Sequence, residues 1–107
     1  MKIEGDTIVF KSWPHWYKLE KKGIKPATVR QVAGEEKEAV SAFLGNYYLF
    51  RHKDTPKPKI EIWNADIDRQ SEQQHFTREL LSGEKIGELL DADIYLFCWR
   101  HEETEQA

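Results

Sequence analysis

The chain has 107 residues, of which 39% are hydrophobic and 33% are charged, a composition that suits one compact domain. Its net charge of −3 argues against a broad basic face for duplex DNA or RNA, and its single cysteine excludes an intrachain disulfide and a cysteine-based zinc site. No apolar run approaches membrane-spanning length. We therefore expect one soluble, cytoplasmic, monomeric domain over residues 1–107, without a membrane partner, metal or cofactor.

The first third of the chain alternates between strand and helix signals. Residues 6–11 ("DTIVFK") alternate apolar and polar side chains and predict a strand. A helix follows, because Ser12 suits an N-cap, Pro14 suits the first turn and Gly23 suits the C-terminal cap. Residues 27–32 ("ATVRQV") alternate again, which predicts a second strand after the helix.

The remainder is richer in strand signals. The periodicity predicts strands over residues 47–52, 59–67, 75–80 and 93–100, and helices over residues 34–46 and 82–92. The last strand is almost wholly apolar, which predicts a central position in the sheet, and the polar tail from about residue 102 is expected to be disordered. About six short strands and two or three peripheral helices predict an α+β fold in which a mixed sheet curls into a barrel.

The segment between the first helix and the second strand carries candidate ligand-binding side chains. Thr28 and Arg30 are two residues apart and would share one face of a strand. Lys25 lies three residues before Thr28 and can face the same pocket only from an irregular turn, which the flanking glycine and proline favour. Such a pocket would bind a phosphate or a base carbonyl through its hydroxyl and cationic groups.

The spacing Gly23-x-Lys25-x-x-Thr28-x-Arg30, after an aromatic-bearing helix, is similar to the ASCH domain of the PUA-like β-barrel superfamily. The resemblance is strongest over residues 1–30, and the chain length also resembles that of a minimal ASCH protein. It implies a barrel with a cleft beside the motif, and a ligand that is RNA, a nucleotide or a modified nucleoside.

One branch of this superfamily, the small bacterial N4-acetylcytidine amidohydrolases, uses a lysine, a threonine and a glutamate. By motif position, the resemblance implies Lys25 as the base and Thr28 as the nucleophile, whose hydroxyl needs a base to become reactive. The glutamate stays open between Glu72 and Glu79, because an ungapped comparison places Gln74 at that position.

Further side chains are candidates for ligand contact. Either Trp16 or Tyr17 would line the cleft and stack on a base, and Arg78 would bind the ligand or pair with a carboxylate. The four histidines show no metal-ligand spacing. Three functions follow: binding of RNA, a nucleotide or a modified nucleoside, which we place first; an amidohydrolase acting on N4-acylated cytidine; and a non-catalytic protein-interaction module.

Overall fold

The computed structural model describes residues 1–46, 57–65 and 74–100. The elements in these residues are β1 (Lys2–Glu4), β2 (Thr7–Ser12), α1 (Pro14–Lys21), β3 (Ala27–Ala33), α2 (Glu36–Leu44), β4 (Lys59–Asn64), β5 (His75–Glu88) and β6 (Ala92–Trp99). The predicted strand over residues 47–52, the candidate Glu72 and the predicted disordered tail lie outside the described residues.

The six strands form one mixed sheet in the order β1-β2-β4-β5-β6-β3. Neighbouring strands are antiparallel except β2 and β4, which are parallel. The prediction of an α+β fold with about six strands and two or three helices is therefore confirmed, with six strands and two helices in the described residues. The sheet is compatible with a barrel-like fold but is not closed in the described part of the chain, where β1 and β3 are its outermost strands.

The core lies between one face of this sheet and α2, and Tyr17 of α1 also packs into it. Its most buried apolar side chains include Ile8, Phe10, Val32, Val40, Phe43, Ile60, Ile62, Leu80 and Phe97. Burying a side chain of this size contributes roughly 1.5–3 kcal/mol. The last strand, predicted to be central, is an internal strand between β5 and β3, and it lies next to the outermost strand β3.

The predicted helix over residues 82–92 is wrong. Residues 82–88 continue β5 and pair antiparallel with β6, with register shifts between Leu80 and Ser82 and between Lys85 and Gly87. Each bulge inserts an extra residue and bends the strand. The helical spacing of Ile86, Leu89 and Leu90 comes from one residue of the bulged strand and two residues of the turn before β6, and all three side chains are exposed.

The N-cap of the first helix lies one residue later than predicted, at Trp13 and not at Ser12. Trp13 occupies the N-cap without a side-chain hydrogen bond, and Pro14 opens the first turn as predicted. Ser12 instead ends β2, where its hydroxyl accepts a hydrogen bond from another strand. Ser12, a residue type that favours the N-cap, therefore links β2 to another strand and does not cap the helix.

Candidate ligand-binding cleft

A cleft of about 640 Å³ opens between α1, the turn that follows it, the start of β3 and the end of β2. Its polar lining side chains are Lys11, Ser12, Glu20, Lys25, Thr28 and Arg30, and its large apolar ones include Trp13, Trp16, Ile24 and Val29. Four of the predicted site residues, Trp16, Lys25, Thr28 and Arg30, therefore line one cavity.

The turn after α1 determines where Lys25 lies. Gly23 adopts a left-handed conformation with φ of 81°, which a side chain would disfavour. This reversal lets the backbone N–H groups of Ile24 and Lys25 both donate to the Leu19 carbonyl, each at 3.0 Å. Lys25 thus belongs to a helix-terminating turn, and it is not bound by the alternation that governs β3 from Ala27 onward.

The Lys25 side chain makes an ion pair with Glu20 of α1. Lys25 Nζ lies 2.8 Å from Glu20 Oε2 and 5.2 Å from the centre of the Trp16 ring. Glu20 is only 1% exposed, and its second oxygen, Oε1, is buried without a hydrogen-bond partner among the described residues. The ammonium group is therefore held at a defined position between a carboxylate and an indole.

Arg30 reaches from β3 to β2, which is not its neighbour in the sheet. Its Nε donates to Thr28 Oγ1 at 3.1 Å, and its two terminal nitrogens donate to the Lys11 carbonyl and to Ser12 Oγ, each at 2.6 Å. Burial lowers the pKa of Arg30, and the nearby Glu20 carboxylate opposes this shift. Arg30 therefore supplies a positive charge to the cleft and bridges the gap between the two strands.

Thr28 is 4% exposed, and its hydroxyl oxygen accepts the hydrogen bond from Arg30. Thr28, Arg30 and Val32 lie on one face of β3, as the alternation predicts, with Thr28 and Val32 buried. The motif thus places a hydroxyl and a guanidinium group on the same wall of the cleft.

Two predicted site residues lie in or against the core instead of in the cleft. Tyr17 is 5% exposed and its ring lies 5.6 Å from that of Phe76. Burial raises the pKa of Tyr17, and the positive charge of Arg78 opposes the shift. Arg78 lies over the Phe76 ring at 4.9 Å and donates to the carbonyl of Lys21, the last residue of α1, at 3.3 Å. Both side chains therefore support the helix that forms one wall of the cleft.

The candidate acid Glu79 lies in a separate surface cavity. Its carboxylate accepts a hydrogen bond from Arg100 Nε and lies 3.1 Å from Lys57 Nζ. That cavity is lined by Asp6, Lys57, Lys59, Thr77, Arg78 and Glu79 and does not include Lys25. Within the described residues, the carboxylate beside Lys25 is that of Glu20.

Glu20 was not among the predicted site residues, although the sequence contains a signal for it. Glu20 lies four residues after Trp16 and three after Tyr17, so a carboxylate occupies a helical face that is otherwise aromatic. A charge on such a face needs a partner when it is buried. Lys25, just beyond the helix end, supplies that partner.

The described residues contain no helix that is long and apolar enough to cross a membrane. Among them, no group of three or more histidine, cysteine, aspartate or glutamate side chains is placed to hold a metal ion. Comparisons of the chain with protein-family models, with curated proteins and with solved structures found no match.

Proposed function

We propose that this chain is an ASCH-type domain of the PUA-like class whose cleft binds RNA, a nucleotide or a modified nucleoside. The observation that carries the proposal is that Trp16, Lys25, Thr28 and Arg30 line a single cavity of about 640 Å³. Cavities of roughly 300–1,000 Å³ with a few convergent polar groups are typical of small-molecule sites.

The chemistry of the lining suits a base that carries a phosphate or a carbonyl. Trp16 is 46% exposed and lines the cleft, so part of its surface is accessible to a flat ligand. Among the described residues, the charged groups that line the cleft are three cations, Lys11, Lys25 and Arg30, and one carboxylate, Glu20. The cleft is therefore locally positive in a chain of net charge −3, and it favours an anionic or carbonyl-bearing ligand.

Titration with nucleosides, nucleotides and short single-stranded RNA, followed by NMR, tests this proposal. We expect chemical-shift changes at Lys25, Thr28 and Arg30 and quenching of Trp16 fluorescence, with the quenching lost in Trp16→Phe. Trp63→Phe is the matched control, because that indole stacks on His75 outside the cleft and its loss should leave binding unchanged. Unchanged shifts around the cleft at millimolar ligand would refute the proposal.

An amidohydrolase acting on N4-acylated cytidine is the second candidate. It is favoured by the presence of Lys25, a buried carboxylate and Thr28 in the same cleft, with Glu20 in the role first assigned to Glu72 or Glu79. The Arg30 hydrogen bond to Thr28 Oγ1 would stabilise negative charge on that oxygen as its proton leaves. Thr28 Oγ1 would bond to the acyl carbon, the cytosine amine would leave with a proton, and water would then release the carboxylic acid.

Binding ranks above hydrolysis because of the hydrogen bonds that Lys25 and Thr28 make. Lys25 Nζ donates to Glu20 Oε2, and the Thr28 hydroxyl is hydrogen-bonded to Arg30, whereas the hydrolytic role needs Lys25 to take the Thr28 proton. Incubation with N4-acetylcytidine separates the two functions. Hydrolysis that is lost in Thr28→Val but retained in Thr28→Ser would establish the enzyme, whereas intact substrate together with ligand-induced shifts would leave binding alone.

A further inference from the structure

Glu20 holds an unused hydrogen-bond acceptor at the bottom of the cleft. Its Oε2 accepts from Lys25 Nζ at 2.8 Å, whereas its Oε1 is buried and has no partner among the described residues. Native proteins rarely leave a buried acceptor unpaired, because the group has lost its water without replacing it. The free oxygen therefore keeps the capacity to accept a hydrogen bond from a group that is not among the described residues.

The position of Glu20 allows a ligand to supply that donor. Glu20 lines the cleft, and its terminal torsion is broad, so rotation about that torsion would bring Oε1 toward the cavity. The one-third exposed Lys25 side chain lies beside the carboxylate. An acceptor and a donor thus stand next to each other below the exposed ring of Trp16.

The geometry points to Glu20 as the residue that recognises the hydrogen-bonding edge of the bound base. Its Oε1 accepts a hydrogen bond from an N–H group of that edge, and Lys25 donates a hydrogen bond to the neighbouring acceptor of the base. This inference rests on the proposed function. It names the ligand class as bases that keep an N–H on this edge. Bases whose edge nitrogens are fully alkylated are rejected, because their methyl groups leave the buried carboxylate oxygen unpaired.

Matched pairs of nucleosides test the inference on the intact chain. The pairs are uridine with 3-methyluridine, inosine with 1-methylinosine, and cytidine with N4,N4-dimethylcytidine, each measured by the same NMR titration. For a parent nucleoside that binds, we expect its methylated counterpart to bind at least about tenfold more weakly. Equal affinities within every pair would overturn the inference and leave the proposed binding function intact, whereas no binding by any parent would overturn both.

Glu20→Leu separates recognition of the edge from steric exclusion and from mere positioning of Lys25. If Glu20 reads the N–H, the ratio of parent to methylated affinity falls toward one in this variant. If Glu20 only positions Lys25, both affinities fall together and their ratio is unchanged. If the methyl group is excluded by its size alone, the ratio is also unchanged in this variant. Either result would overturn the inference. Glu79→Gln is the control, because that carboxylate lies outside the cleft and both affinities should stay as in the wild type. Should Glu20→Leu fail to fold, the wild-type pairs decide the matter, with Glu20→Gln as the second variant.

Discussion

Lys25 and Glu20 form an ion pair whose two partners differ sharply in exposure. The Lys25 side chain is 33% exposed, whereas that of Glu20 is 0% exposed, although the charged atoms are only 2.8 Å apart. Without Glu20, the long lysine chain can turn its head into water. Without Lys25, the carboxylate stays buried with its nearest counter-charge removed.

This asymmetry predicts different costs for the two single substitutions. Lys25→Met should lower the free energy of unfolding by about 3 kcal/mol, because it leaves a buried carboxylate without its partner, and Glu20→Gln should lower it by less than half as much. Urea unfolding followed by circular dichroism measures both. Lys22→Met, in the exposed part of the same turn, is the control and should be close to neutral. Equal costs, or a larger cost for Glu20→Gln, would contradict this account.

The hydrogen bonds of Arg30 predict that lysine cannot replace it. A lysine has one nitrogen in place of the planar fork that reaches Thr28, Ser12 and the Lys11 carbonyl. We expect Arg30→Lys to lower the free energy of unfolding by about 1–3 kcal/mol. Lys11→Ala is the matched control, since it removes a cleft charge but keeps the backbone acceptor, and its thermal midpoint should be close to the wild-type value.

Two glycines of β5 provide a test of packing. A Cβ added at Gly83 would lie 2.7 Å from Leu44 Cδ2 and 3.0 Å from the Phe97 ring, whereas one at Gly87 would lie 3.5 Å from Ile94 Cδ1. Gly83→Ala should therefore cost about 1–3 kcal/mol through overpacking, and Gly87→Ala should be neutral or slightly stabilising. Denaturant midpoints of the two variants measure this difference. Equal stability of Gly83→Ala and Gly87→Ala would contradict the close approach at Gly83.

The surface carboxylate of Glu79 predicts a pH dependence of stability. Its hydrogen bond to Arg100, followed by that to Lys57, lowers its pKa below the ordinary value of 4.5. A lowered folded-state pKa adds stability above the unfolded pKa, and this stability is lost as pH falls through the folded value. The free energy of unfolding of the wild type should thus be higher than that of Glu79→Gln by less than about 1 kcal/mol at pH 7. This difference in stability should shrink below about pH 4.5. A difference that stays constant down to pH 2 would rule out this ionisation as its source.

Much of the fold follows from local patterns in the sequence. The helix that ends at the left-handed Gly23, the alternation of β3 and the hairpin of β4 with β5 are each determined by residues close to one another in the chain. The continuation of β5 to Glu88 was not predictable in this way, because two bulges remove the alternation and the pairing with β6 supplies the missing signal. Tertiary pairing has here overridden the local periodicity.

The cleft likewise combines features that the local sequence predicts with features that it does not. The turn that frees Lys25 from strand alternation is local and was predictable from Gly23 and Pro26. The side-chain bridge from Arg30 to Ser12 joins strands that are not neighbours, so no spacing in the sequence announces it. Glu20 meets Lys25 because the turn folds back toward the helix, and the spacing of residues in the sequence does not give that distance.

The parallel pairing of β2 with β4 has a consequence for how the chain reaches this fold. Thr7 pairs with Lys59 and Ser12 with Asn64, so the partners in the middle of the sheet are about fifty positions apart. Closing so long a loop costs chain entropy before any contact in the pair compensates for it. The pairing of β3 with β6 joins residues that are still farther apart, from Ala33 with Ala92 to Ala27 with Cys98. We therefore expect the α1 turn and the β5–β6 ribbon to form early, and the cleft to be assembled late, because it needs both of these long-range pairings.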